Sequence, residues 1–274
     1  MNINGSVVLV TGASRGIGVT IARELARKGG RIAVTARSEK ELKEVAESIG
    51  AVAIPADVSS AEDRERVLKT VEAELGSIDV LVNNAGIESI RAFAEMPEQD
   101  IRDIVEVNLV SPMLLTRAAL PGMLERKRGH VVNIASVAGK TMTPFNSVYS
   151  ASKHALVGWT HSIRFELQGS GVSASVICPG FVADEGLFAR WGDEKRGRKS
   201  GAFTTPKKVA DAVAKAIERD LSEVVVSGPI GKIADVAFAI SPRFTAAVGS
   251  RSPAIDMFRE EQARRKAEGR SRTE

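Results

Sequence analysis

A tyrosine and a lysine four residues apart are the side chains of this sequence best suited to acid–base chemistry. Tyr149 is the only tyrosine in the chain, and Lys153 follows it at the spacing that puts two side chains on one face of a helix. A free phenol has a pKa of about 10, and a neighbouring ammonium group stabilises the phenolate and lowers that pKa. We therefore expect Tyr149 to protonate a carbonyl oxygen during reduction, or to deprotonate an alcohol during oxidation.

Ser136 can act on the same substrate oxygen. It comes directly after 130–135, a largely apolar run that predicts a strand. A hydroxyl at the end of a strand can hydrogen-bond the carbonyl oxygen and orient it toward the phenol. Ser136, Tyr149 and Lys153 together predict a catalytic group.

The glycine-rich segment 11–18 is typical of a dinucleotide phosphate site, because a strand precedes it and a helix follows it. Gly12 permits a tight turn, Gly16 lets the backbone approach a pyrophosphate, and Gly18 lets helix and strand pack closely. The N-terminus of the helix offers unpaired N–H groups to the phosphates. The contacts that we predict here are Gly12, Ser14, Arg15, Gly16, Ile17 and Gly18.

Strand and helix signals alternate along the chain, which predicts an α/β fold. Strands apolar on both faces indicate a parallel sheet covered by helices, which binds ligands at the carboxyl ends of its strands. We predict a single doubly wound Rossmann-type domain over 1–228, with a mainly parallel seven-stranded sheet, and a less regular extension over 229–274 that becomes a charged tail from about 259. The predicted strands are 7–10, 31–35, 52–54, 79–82, 130–135, 172–178 and 224–226. A long helical region over 100–126 should be interrupted at Ser111-Pro112 and at Pro121-Gly122.

The order and spacing of these motifs resemble the short-chain dehydrogenase/reductase family. The resemblance rests on segment 11–18, Asp57, Asn83-Asn84-Ala85-Gly86, Asn108, Ser136, Tyr149-x-x-x-Lys153 and Pro179-Gly180. It implies that Asn108 joins the catalytic group by holding a water that links Lys153 to solvent. It also implies a mobile loop over about 181–205 that covers cofactor and substrate. The further cofactor contacts that it implies are Asp57, Val58, Asn84, Ala85, Gly86, Tyr149, Lys153, Pro179, Gly180 and Val182.

Two features depart from the family pattern. Asp184 stands where many members have a threonine that contacts the nicotinamide amide and the phosphates. Residues 229–257 replace the short glycine-rich ending of the acyl-carrier reductases with an apolar set. This set could cover the substrate pocket, form a subunit contact or rest on a membrane surface, and we disfavour the membrane.

The cofactor prediction is NADP(H) rather than NAD(H). An NAD site usually has an acid at the end of the second strand, where it binds the adenosine ribose. Here Ala36 occupies that position, and Arg37 follows it. The guanidinium groups of Arg37 and Arg15 match the geometry of a 2′-phosphate.

Composition excludes several other classes of protein. One cysteine and three scattered histidines among 274 residues give neither a disulfide framework nor a metal site. The net charge of +4 is concentrated in 190–199 and 259–274, and aromatic residues make up only 4%, which disfavours nucleic-acid binding. Without a signal peptide or a long apolar run, we expect a cytoplasmic protein, and we predict a homodimer or homotetramer.

We therefore predict an NADPH-dependent carbonyl reductase that acts reversibly on a small-molecule carbonyl or alcohol substrate. An apolar ketone or aldehyde is favoured, with an acyl thioester as a further candidate, because apolar side chains lie near the site. Those side chains are Met142, Pro144, Phe145, Val148, Phe181, Val182, Leu187, Phe188, Trp191 and Phe203. An epimerase or dehydratase on the same fold, and a non-catalytic dinucleotide sensor or scaffold, remain the alternatives.

Overall fold

The computed structural model describes residues 1–182, 203–241, 243 and 253–268, with side chains throughout except at 230–232, 234, 235, 253 and 254. Several predictions lie outside the described residues. They concern Asp184, the basic segment 190–199, most of the loop 181–205 and the last residues of the charged tail.

Seven strands form one wholly parallel sheet, which confirms the predicted sheet, and two further short strands pair separately. The bounds are β1 Val7–Thr11, β2 Arg31–Ala36, β3 Val52–Pro55, β4 Val80–Asn83, β5 Gly129–Ile134, β6 Val172–Pro179, β7 Phe181–Val182, β8 Phe203–Thr204 and β9 Glu223–Val226. The order across the main sheet is β3-β2-β1-β4-β5-β6-β9. The chain runs outward from β1 and then returns to β4 on its other side, so a crevice opens between the carboxyl ends of these two strands.

Helices cover both faces of the sheet, as the Rossmann-type prediction requires. The helices in the described residues are α1 Ile17–Arg27, α2 Glu39–Ile49, α3 Ala61–Leu75, α4 Glu98–Val105, α5 Ser111–Glu125, α6 Ser147–Glu166, α7 Pro206–Arg219, α8 Pro229–Ile240 and α9 Pro253–Ala267. Apolar side chains of α1, α2 and α7 fill one layer of the core. Those of α3, α5 and α6 fill the other, and the two layers hold the strands rigidly beneath the crevice.

The long helical region departs from the prediction at its centre. The break lies at Glu106–Val110, which is one π-helical turn between α4 and α5, and not at Pro121-Gly122, which continue α5. Pro112 has no N–H to donate to the carbonyl of Asn108 four residues before it, so the regular ladder is interrupted just ahead of α5.

The span Glu98–Glu125 is long and apolar enough to cross a membrane by length and composition alone, which the sequence reasoning overlooked. Its buried side chains, among them Leu115 and Met123, pack into the core beneath the sheet. Core helices of sheet proteins commonly meet the same criterion, so we read this span as a layer of the fold.

The extension is more regular than expected, because it contains α8 and α9. Met257 and Phe258 of α9 are buried against Ile90. Part of the predicted charged tail is also buried, since Glu261 and Arg265 lie inside the protein. The boundary at 228 stays a prediction.

Candidate active site

The loops that follow β1 and β4 are joined by hydrogen bonds at the crevice. The hydroxyl of Thr11 accepts from the backbone N–H groups of Asn84 and Ala85, each at 3.0 Å. The side-chain nitrogen of Asn84 donates to the carbonyls of Thr11 and Gly12 at 2.9 and 3.1 Å. Because both loops are fixed to each other, a ligand placed on one has a defined position on the other.

Two glycines allow this close approach. Gly12 has a φ of 66°, and a Cβ there would lie 2.7 Å from the Cα of Ala85. A Cβ on Gly18 would lie 2.4 Å from the carbonyl oxygen of Gly12. A side chain at Gly12 would push the two loops apart. A side chain at Gly18 would push α1 away from the loop after β1, in line with the close packing of helix and strand that the sequence predicted there.

The N-terminus of α1 opens toward the same crevice. Gly16, with a φ of 63°, precedes the helix, and no side chain caps its first turn. The first N–H groups of a helix have no partner within the helix and carry partial positive charge, so they suit an anion. This arrangement fits the pyrophosphate of a dinucleotide.

A cavity of about 710 Å³ runs along these loops. Apart from Asn108, every predicted site residue contributes to its wall. These residues are Gly12, Ser14, Arg15, Gly16, Ile17, Gly18, Arg37, Asp57, Val58, Asn84, Ala85, Gly86, Ser136, Tyr149, Lys153, Pro179, Gly180 and Val182.

One end of the cavity is rich in arginine. Arg15 and Arg37 are exposed at its wall, and so is Arg23, which sequence reasoning missed. Arg23 lies one helical turn after Val19, another wall residue, and this spacing is the signal that could have found it. Asp57 is the acid at this end, and its carboxylate accepts from the N–H and the hydroxyl of Ser59 at 2.9 and 2.6 Å.

Lys153 projects from α6 beneath the other end of the cavity. Its Nζ donates to the carbonyl of Ile134 at 2.9 Å and lies 5.6 Å from the centroid of the Tyr149 ring. Burial lowers the pKa of Lys153 to about 8. In most protein molecules Lys153 is therefore still an ammonium ion at neutral pH, next to the phenol.

The environment of Tyr149 differs from the expectation. Burial, and then the negative charge of Glu88, raise the pKa of the Tyr149 phenol above its ordinary value. A hydrogen bond with Ser136 acts in the opposite sense and is the weaker influence. The groups of the chain therefore hold the proton on the phenol, whereas we expected the lysine to lower the pKa.

Ser136 lies where β5 ends and the short helical turn Val137–Gly139 begins. Its Oγ accepts from the N–H of Ala138 at 3.1 Å and lies 3.5 Å from the carbonyl oxygen of Pro179. These contacts place the hydroxyl between the ends of β5 and β6, within reach of Tyr149.

Asn108 does not reach the cavity and is fully buried. Its Oδ1 accepts from the N–H of Ile87 at 2.8 Å, while its Nδ2 donates to the carbonyl of Ile87 at 2.9 Å and to Ser152 at 3.1 Å. The side chain therefore positions the loop after β4 rather than contacting a substrate. The predicted water beside Asn108 stays a prediction.

Part of the cavity wall on the substrate side is formed by residues that the sequence did not single out. Thr143 and Asn146 reach the wall, in place of the predicted Met142, Pro144, Phe145 and Val148. The side-chain amide of Asn146 donates to the carboxylate of Glu88 at 2.9 Å. Phe181 and Val182 are wall residues as expected, and Phe258 of α9 joins them.

Comparison with known proteins identifies the family and the fold. The family model described as short chain dehydrogenase matches residues 6–195. The ketoacyl reductase HetN of Nostoc sp. is 43% identical over 230 residues, which are 82% of this chain and 79% of that protein.

Two solved structures share the fold. A crystal structure of actinorhodin polyketide ketoreductase with NADPH has a TM-score of 0.76 at 36% identity, and covers 82% of this chain and 97% of its own. The 3-ketoacyl-(acyl-carrier-protein) reductase of Brucella melitensis, complexed with NADH, has a TM-score of 0.79 at 25% identity, and the match covers 84% of this chain and 99% of that one. The predicted family, the fold and a nicotinamide dinucleotide cofactor are thus supported, and the chain belongs to the short-chain dehydrogenase/reductase family of oxidoreductases.

Proposed function

We propose that this protein is an NADPH-dependent reductase that converts an apolar ketone to an alcohol and also catalyses the reverse reaction. The observation that carries the proposal is the meeting of Ser136, Tyr149 and Lys153 at one end of a cavity whose other end is built from the glycines of segment 11–18 and from arginines. Proton transfer and dinucleotide binding then occur in one crevice.

The phenol of Tyr149 is the proton donor to the carbonyl oxygen. The bound nicotinamide supplies the hydride. Ser136 hydrogen-bonds the same oxygen and orients it, and the Lys153 ammonium stabilises the negative charge left on Tyr149. Because burial and Glu88 keep the phenol protonated, this site starts in the protonation state that reduction requires.

NADP(H) is proposed over NAD(H) because Arg15, Arg23 and Arg37 line the arginine-rich end of the cavity. A guanidinium forms a bidentate ion pair with a phosphate, which is stronger than a hydrogen bond to the neutral ribose hydroxyl of NAD. An Arg37→Asp variant should lower the NADPH/NADH ratio of kcat/KM by about tenfold or more, because it removes an attraction and adds a repulsion. An unchanged ratio would remove Arg37 from the cofactor assignment.

The substrate class is inferred from the apolar residues that line the cavity together with Tyr149, among them Ile87, Val137 and Phe181. The names of the related ketoacyl and polyketide reductases add an acyl thioester as a candidate. A panel of ketones, aldehydes and β-ketoacyl thioesters with NADPH, followed by loss of nicotinamide absorbance, tests the proposal. Cofactor binding without turnover on the whole panel would favour a sensor or scaffold, while epimerisation or water loss without net oxidation would favour the other enzyme class.

Cellular location and assembly remain predictions of the sequence. We expect a cytoplasmic homodimer or homotetramer, which fractionation and light scattering would check.

A further inference from the structure

The C-terminal helix α9 reaches the substrate side of the cavity. Phe258 is 4% exposed and forms part of the cavity wall. Its ring lies 6.1 Å from the ring of Phe181, centroid to centroid, at an interplanar angle of 50°. Met257 and Phe258 pack with Ile90, so the helix is seated on the loop that follows β4.

A buried group of charges also fixes α9 to that loop. Nη2 of Arg265 lies 3.7 Å from a carboxylate oxygen of Glu88, and Nε of Arg265 donates to Glu261 at 2.7 Å. All three side chains are about 5% exposed. Removal of one member of a buried ion pair leaves an uncompensated charge, so these contacts favour a single docked position of the helix.

This wall lies beyond the part of the chain that defines the family. The family model matches residues 6–195, and apart from Phe258 the described wall residues lie within 12–182. Phe258 therefore reaches the cavity from a part of the chain that the family model does not match. An aromatic ring beside Phe181 offers an apolar surface to the substrate, and such a surface favours a neutral group over an ionised one.

We propose that α9 forms the outer wall of the substrate pocket and that Phe258 is a specificity-determining residue, which contacts the bulky apolar or aromatic part of a neutral ketone. The inference rests on the proposed ketone reduction and specifies its substrate class. The Arg265–Glu88 contact acts as a positioning element, because it holds Phe258 at the wall.

The test compares a bulky and a small neutral ketone. The assay measures the NADPH-dependent reduction of tetralone and of butanone, with the parent protein and with a Phe258→Ala variant. Loss of the ring should lower kcat/KM for tetralone by about tenfold or more, with a change below about twofold for butanone. Phe165→Ala is the matched control, because its ring is 72% exposed on α6, and it should leave the tetralone/butanone ratio unchanged.

NADPH binding and thermal unfolding of each variant check that the fold is intact. If Phe258→Ala does not fold, Phe258→Leu takes its place, since it keeps an apolar side chain and removes only the ring. An unchanged tetralone/butanone ratio in a folded variant overturns the inference, and so does a parent protein that reduces butanone but not tetralone. A parent protein that reduces no carbonyl compound with NADPH instead overturns the proposed function.

Discussion

Asn108 provides a direct test of how the π-helical turn supports the site. An Asn108→Ala variant removes three hydrogen bonds and leaves the N–H and the carbonyl of Ile87, a residue that is only 8% exposed, without their partner. An unpaired buried polar group costs roughly 1–3 kcal/mol, so two of them should lower the free energy of unfolding by about 4 kcal/mol. For a chain of this size that corresponds to a fall of about 8 °C in Tm.

Thermal unfolding followed by circular dichroism measures this loss, and Ser152→Ala is the matched control. That change takes away the third partner of Asn108 and the hydrogen bond that the Ser152 hydroxyl donates to the carbonyl of Tyr149, and it should cost about 1–2 kcal/mol. An Asn108→Asp variant should be strongly destabilised as well, because a carboxylate oxygen would face the carbonyl of Ile87. A loss for Asn108→Ala no larger than that for Ser152→Ala would refute the reasoning.

Two further predictions concern the phosphate loop and a buried histidine. Gly18→Ala should weaken NADPH binding by about tenfold or more, since the new Cβ meets the carbonyl of Gly12. Gly158→Ala is the control, because a Cβ there meets nothing within 4 Å, and it should leave NADPH binding unchanged. Equal NADPH affinities of the two variants in a titration would contradict this prediction. Burial lowers the pKa of His130 from 6.5 to about 4, so between these values the unfolded chain binds a proton that the folded chain does not. Stability should therefore fall as the pH drops through this window, by about 2.5 kcal/mol between about pH 7 and about pH 4.5. His130→Gln should reduce that fall in urea unfolding, and an identical pH dependence would show that His130 is not its source.

Local signals predicted the framework of this fold well. Each of the seven strands of the main sheet begins and ends within about one residue of its predicted bounds, because short apolar runs between turn residues mark them. Thr205 caps α7 by accepting from the N–H of Lys208, as a cap residue ahead of a proline suggests. The glycine and Tyr149-x-x-x-Lys153 motifs located the cavity for the same reason, since each depends on neighbours within one turn or one loop.

Contacts between distant segments could not be predicted in this way. Glu88 pairs with Arg265, which is far away in the chain, and no spacing pattern in the sequence predicts this contact. The pKa of Tyr149 is raised by burial and by Glu88. The expectation that the nearby lysine lowers this pKa was therefore wrong for the protein without cofactor. The hydrogen bonds between Asn108 and Ile87 likewise join two separate elements, and the local break at Pro112 did not indicate them.

The most direct test of the central claim is the turnover of a Tyr149→Phe variant on the best ketone of the panel. Phenylalanine keeps the ring beside Lys153 and removes only the hydroxyl, so NADPH should bind with nearly unchanged affinity while kcat falls by at least about a hundredfold. A variant that binds NADPH and still reduces the ketone at close to the parent rate would contradict the assignment of Tyr149 as the proton donor.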